Sequence, residues 1–108
     1  MNPQLKKGAL EMCVLAQLQK ADRYGYELTD AISGEMSIAG GTLYIVLKRL
    51  KEENYVETYL QESPDGPARK YYHLTASGRS YLEQSLREWH DFVKAVTRLT
   101  ADLEEQTV

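Results

Sequence analysis

The C-terminal third of the chain carries a stripe of large apolar residues, Leu82, Leu86, Trp89, Val93 and Val96, spaced four, three, four and three apart. Leu99 and Leu103 continue it after one irregularity. That spacing predicts a coiled-coil-like helical seam. A seam of more than three turns must lie against something, and in a chain of 108 residues only the N-terminal segment offers a helix of comparable length. Left bare, it would be an aggregation-prone surface, so the seam predicts that the chain pairs with a second copy of itself.

The N-terminal segment suits that arrangement. From Leu5 to Gln19 two adjacent stripes, Leu5–Ala9–Met12–Ala16 and Leu10–Val14–Leu18, recur at helical spacing, which predicts a helix covered on two sides. The expected dimer-interface residues are Leu5 and Met12 of this helix, with Leu82, Leu86, Trp89, Val93 and Val96 of the seam.

Length and composition exclude several classes. With 43% hydrophobic residues, 108 positions hold one core and no large catalytic frame. The longest apolar run, Ala9 to Ala16, is interrupted by Glu11 and falls far short of the roughly 18 residues needed to span a bilayer. The N-terminus lacks the pattern of a secretory leader, so a cytoplasmic protein without membrane contact is expected. Cys13 is the only cysteine, which excludes an internal disulfide and a cysteine zinc cage, and its apolar helical surroundings predict a packed thiol. His73 and His90 have no carboxylate at metal-ligand spacing, and no nucleophile elbow, phosphate loop or dinucleotide fingerprint is present. Neither a metal, a cofactor nor an enzymatic activity is expected.

Between the two long helices the pattern changes. Tyr24 to Ile32 predicts a short helix ended by Gly34, and about Gly40 to Glu53 predicts a third, with Leu43, Val46, Leu47 and Leu50 on its inner face. Asn54 stands where the backbone often turns left-handed. Tyr55 to Gln61 and Arg69 to Leu74 then read as a β-hairpin, with a long tip at Ser63-Pro64-Asp65-Gly66-Pro67. Thr75 caps the last helix, and Gly78 in its first turn lets it approach the hairpin closely.

Three short helices followed by a hairpin is the order of a winged helix-turn-helix, with the third helix in the DNA major groove and the hairpin as wing. The fold class is thus mainly α with a small β-hairpin: a DNA-binding domain over residues 1–74, its first helix shared with the dimer interface, and a dimerisation helix over 75–108. The core-facing leucines leave Tyr44, Ile45, Lys48 and Lys51 outward on the third helix, with the backbone amides of Gly41 and Thr42 open to a phosphate. Tyr44 and Lys48 have the chemistry to meet phosphate or a base edge, and Ile45 a thymine methyl. On the wing, Arg69 and Lys70 point to opposite sides of a strand, one toward phosphate and the other toward an acidic neighbour. The net charge is −3, yet the bases cluster at Lys48-Arg49, Lys51 and Arg69-Lys70, so an acidic total is compatible with a basic face. The same cluster could instead solvate an exposed surface, in which case the winged helix would be a protein–protein module without DNA binding.

The run Gly41-Thr42-Leu43-Tyr44-Ile45-Val46-Leu47-Lys48-Arg49-Leu50, with Tyr24-Gly25-Tyr26-Glu27-Leu28 before it and Tyr71-Tyr72-His73-Leu74-Thr75-Ala76-Ser77-Gly78 after it, resembles the PadR family of bacterial transcriptional regulators. The resemblance covers nearly the whole chain. It implies a homodimeric repressor that acts on double-stranded DNA at an inverted-repeat operator, often of efflux or detoxification genes, and is released by a small molecule or stress signal. In short members a single C-terminal helix crosses the partner and packs with its first helix. Carried onto this sequence, the DNA-facing positions are Thr42, Tyr44 and Lys48 of the third helix and Arg69 and Lys70 of the wing, while Tyr24 is either DNA-facing or packed inside. Trp89, with Phe92 and Val93 nearby, is either an interface anchor or, as in multidrug-binding members, the lining of a pore for a planar aromatic or lipophilic ligand. The chain departs from the family where Ala39-Gly40 replaces a Ser/Asn cap and Pro, leaving Ser37 or solvent to cap the third helix, where Ile45 replaces Pro, and where Asn54 replaces Gly.

Overall fold

A computed structural model describes residues 3–39 and 41–107, with side chains over 8–39 and 41–103. The elements run α1 (Pro3–Lys20), β1 (Arg23–Tyr24), α2 (Gly25–Ser33), α3 (Thr42–Glu52), β2 (Val56–Ser63), β3 (Gly66–Leu74) and α4 (Ala76–Thr107). The strands form one antiparallel sheet in the order β1-β3-β2. This is a winged helix with a long terminal helix, and α4 draws the molecule out to 55 × 27 × 21 Å.

The core is where the apolar periodicities converge. Leu10, Val14, Leu15 and Leu18 of α1, Leu28 and Ile32 of α2, and Leu43, Val46, Leu47 and Leu50 of α3 are buried together with Val56, Tyr72 and Leu74 of the sheet. Leu82 joins them at 0% exposure, so this first member of the seam is spent inside the protomer and is not an interface residue. Leu86 is half-buried against the same core. The Leu5 side chain lies outside the described residues.

Two local devices turn the chain as its residue types require. Asn54 adopts φ 64°, a left-handed conformation that Asn tolerates, and its carbonyl accepts hydrogen bonds from Thr75 Oγ1 (2.7 Å) and Ser77 Oγ (2.9 Å). Thr75 Oγ1 in turn accepts the Gly78 N–H at 3.0 Å, capping α4. A Cβ at Gly78 would fall on the Tyr55 carbonyl and within 2.8 Å of Leu74, which is why only glycine fits at this crossing.

Three expectations change. The expected start of α3 near Gly40 falls outside the described residues, and the helix begins at Thr42 with Gly41 as its N-cap and no side-chain cap bond. The wing has a tight tip: strand pairing runs out to Ser63↔Gly66, leaving Pro64-Asp65 as the turn, with an irregularity between Gln61 and Ser63 that absorbs the register shift. Tyr24, expected to open the second helix, instead belongs with Arg23 to a short strand that pairs with Tyr71 and Tyr72 of β3, and α2 begins at Gly25.

Candidate nucleic-acid interface

The outward side of α3 emerges from the burial of its leucines. Tyr44 is 53% exposed and Ile45 72%, and Lys48 and Lys51 are exposed one and two turns further on. Thr42 is half-buried, and its amide donates to the Ala39 carbonyl at 3.0 Å, so that N–H is not open to a phosphate as the sequence implied. Arg49 reaches back to Glu11 of α1 in a salt bridge, which removes it from the outward cations. Lys48, Lys51, Arg69 and Lys70 have no ion-pair partner among the described residues.

Tyr44 does not stand free on its helix. Its ring lies against Gly25 at the start of α2, where a Cβ would be 3.1 Å from Cε1 and 3.2 Å from the phenol oxygen. The phenol of Tyr72 of β3 is pushed above its ordinary value first by burial and then by the charge that an ionised Tyr44 would place near it. Lys70 extends over the Tyr72 ring, its Nζ 6.0 Å from the centroid.

The opposite face of the sheet carries a transverse row of tyrosines. Tyr59, Tyr71 and Tyr24 are register partners across β2, β3 and β1, with centroids 5.6 Å and 5.5 Å apart. Tyr26 extends the row at 6.3 Å from Tyr24. Arg69 lies over the Tyr24 ring, its guanidinium carbon 4.6 Å from the centroid. Arg69 and Lys70 therefore do face opposite sides, but each meets an aromatic ring, and neither meets the acidic neighbour that was expected. Tyr24 is half-buried within the row, and its backbone N–H donates to Glu27 at 3.1 Å.

A polar cluster at the root of the wing had no clear signal in the sequence. Asp22 accepts hydrogen bonds from His73 Nδ1 and from the Tyr59 hydroxyl, both at 2.8 Å, and Glu57 stands 3.9 Å from His73 Nε2. Partial burial works to raise the Asp22 pKa, but these two hydrogen bonds and the charge of His73 outweigh it and hold the carboxyl below its usual range. Only the alternation Glu57-Tyr59 against Tyr71-His73 hinted that these side chains share a face. The cluster lacks a metal site's donor set: no group of three His, Cys, Asp or Glu suited to a metal occurs among the described residues. Cys13 is half-buried, and burial pushes its thiol up, away from reactivity.

The sequence places Tyr44, Lys48, Arg69 and Lys70 outward, and the structure brings Tyr44 and Arg69 to the start of α2, while Lys70 lies over Tyr72 on the other side of the sheet. Gly25, the point where α2 meets Tyr44, went unnoticed because a glycine opening a helix carries no periodicity.

On α4 the seam remains uncovered beyond Leu86. Trp89 (38%), Val93 (39%), Val96 (41%), Leu99 (84%) and Leu103 (61%) are exposed, and Phe92 beside them is 56% exposed. Between α1 and α4 lies a groove of about 400 Å³ whose walls include Met12, Leu15, Tyr81, Glu88, Trp89 and Phe92. The Trp89 and Phe92 rings are 6.3 Å apart. Val93 is not part of the groove lining. Among the described residues no helix is long and apolar enough to cross a membrane.

These features recur in known proteins. Residues 14–84 match the model of the transcriptional regulator PadR-like family. An uncharacterised protein of Lysinibacillus sphaericus is 33% identical over 102 residues, covering 91% of this chain and 94% of that protein. A Streptococcus transcriptional regulator of known structure superposes with a TM-score of 0.83 at 33% identity, covering 92% of this chain and 99% of its own. A PadR-like transcriptional regulator from Bacillus cereus does so at 0.81 and 35%, covering 89% and 95%. With the winged helix, the outward cations of α3 and the wing, and a family match over most of its length, the chain belongs to the PadR-like family and is a DNA-binding transcriptional regulator, not an enzyme.

Proposed function

We propose that this chain acts as a homodimeric repressor of an efflux- or detoxification-type gene, binding an inverted repeat through α3 and the wing. The observation that carries the DNA-contact part is that Tyr44, Lys48, Arg69 and Lys70 are solvent-facing or half-open, and none of the three cations is neutralised by an acid of the same chain among the described residues. Thr42, in the first turn of α3, is the remaining contact candidate, and Tyr24 serves the site from within the aromatic row.

The bare seam from Trp89 to Leu103 supports the second copy as its cover, with Leu86 and Met12 at the edge of that interface. Two-fold pairing places two reading heads on half-sites about one helical turn apart, or a small multiple of it. Gel shift with promoter DNA from beside its own gene tests this: a retarded band that weakens steeply with salt is expected, because released counterions dominate affinity. Absence of any shift at moderate salt would favour the protein–protein module instead.

The groove beside Trp89 and Phe92 supports a second element of the reading, release by a planar aromatic or lipophilic cation. Its walls pair two aromatic rings with the Glu88 carboxylate, which suits such a ligand. Quenching of Trp89 fluorescence by a panel of such compounds, together with loss of the retarded band, is the expected outcome. Saturation with neither effect would remove the ligand from the proposal and leave Trp89 as an interface anchor.

A further inference from the structure

Two neighbouring residues at the start of α2 each hold a side chain that belongs to another element. Tyr24 lies under the Arg69 guanidinium of the wing, and Gly25 lies under the ring of Tyr44 from α3. We propose that Tyr24 and Gly25 are positioning residues for DNA binding: the first turn of α2 fixes the separation at which the wing presents Arg69 and the reading helix presents Tyr44. The inference rests on the reading of Tyr44 and Arg69 as DNA contacts.

Gly25 has no backbone reason to be glycine. No described glycine has a positive φ, so alanine is conformationally allowed at position 25, and inside a helix it is the better former. What stands in the way is Tyr44, whose Cε1, hydroxyl oxygen and Cζ would lie 3.1, 3.2 and 3.5 Å from an added Cβ. Alanine there would oblige the Tyr44 ring to shift by a few tenths of an ångström from its seat. The space left by the missing Cβ is the space the Tyr44 ring occupies.

Tyr24 is fixed on several sides. Its amide is bonded to Glu27, its ring meets Tyr71 across the β1–β3 ladder, and Tyr26 stacks beside it. The platform under Arg69 is therefore more rigid than the arginine stem it supports. Without it, a long side chain on an exposed hairpin would sample many rotamers and lose that entropy on binding DNA. Because the two residues are consecutive, about 3.8 Å separates their Cα atoms, and a shift of either seat changes the distance between the two presented groups.

The test uses the full chain and a duplex enriched by the wild-type protein from a randomised pool. Affinity and melting temperature are measured for Gly25→Ala, Tyr24→Leu, Tyr24→Phe, Tyr44→Ala, Arg69→Ala and the pairs Gly25→Ala/Tyr44→Ala and Tyr24→Leu/Arg69→Ala. Gly25→Ala is expected to weaken binding about fivefold with an unchanged or raised melting temperature, and to cost nothing further once Tyr44 is alanine. Tyr24→Leu is expected to weaken binding about threefold, Tyr24→Phe to keep the wild-type affinity, and Tyr24→Leu to cost nothing further once Arg69 is alanine. Additive losses in the pairs, or a fall in melting temperature matching the fall in affinity, would overturn the positioning role. Wild-type affinity in the Tyr44→Ala and Arg69→Ala single variants, or failure to enrich any duplex, would instead overturn the DNA-contact reading on which it rests.

Discussion

The two stretches of α4 are continuous in sequence pattern and opposite in fate. At the root, Tyr81 stacks on Tyr55 at 4.3 Å, Leu82 is fully buried and Leu86 packs on the core. Beyond it, the same periodicity leaves Trp89, Val93, Val96, Leu99 and Leu103 facing outward. The difference lies in what stands opposite. α1 has 18 residues and α4 has 32, so at 1.5 Å per residue α1 is about 27 Å long against about 48 Å for α4. Periodicity reports that a stripe will be covered, and helix length decides whether the protomer itself can cover it.

The largest effects belong to the committed end. Gly78→Ala should prevent native folding, because the methyl would occupy the place of the Tyr55 carbonyl, and circular dichroism with thermal melting would register the loss. Leu82→Ala should destabilise the fold by about 2–5 kcal/mol, the range for truncating a fully buried leucine. Dimer dissociation by Leu82→Ala without any fall in stability would erase the contrast between root and tip.

At the open end the expected response is of another kind. Val93→Glu or Leu99→Glu should yield a folded monomer, seen by light scattering coupled to size exclusion, with helix content retained. A charge placed in a packed apolar interface costs several kcal/mol but very little on a surface already wet. Unchanged oligomeric state in both variants would show that the tip of α4 is not the interface. Next in size, Tyr44→Ala and Lys48→Ala should each weaken operator binding by about tenfold while leaving the dimer intact. Lys48→Ala should also flatten the salt dependence by about one unit for each phosphate that the lysine neutralises.

The same division explains what could be read in advance. Repeating features were legible: the leucine faces of α1 and α3, the alternating hairpin, the seam of α4, and the special roles of Asn54 and Gly78, whose residue types carry their own conformational meaning. Three other features depend on which surfaces meet in space. Leu82 looks like any other seam residue in the sequence, and only the packing of α1 against the root of α4 and the common core distinguish it. The pairing of Arg23 and Tyr24 with β3 is too short to leave a pattern. Gly25 and Asp22 matter through side chains 19 to 51 positions away, Tyr44 for one and Tyr59 and His73 for the other, and no local window contains both members of such a pair.

Asp22 offers the finest test of the division, because its cluster lies on the sheet face that also carries Arg69 yet spends its bonds within the protomer. It joins the entry of β1 to Tyr59 of β2 and His73 of β3, so its removal should touch stability while leaving oligomeric state and DNA affinity alone. The sign follows from its lowered pKa. The carboxylate's bonds stabilise the fold above the unfolded value of about 3.9, where the group is ionised in both states, and that contribution is lost as the pH falls through the lower folded value. Asp22→Asn should therefore melt slightly below wild type at pH 7, with the gap closing as the pH is taken below the ordinary carboxylate range. With the side chain 34% exposed, solvent screening keeps the effect under about 1 kcal/mol, a shift of a few degrees at most. A gap that persisted in acid would mean that Asp22 acts through its shape and not its charge, and a loss of DNA affinity without loss of stability would move the cluster from the committed side of the molecule to the presented one.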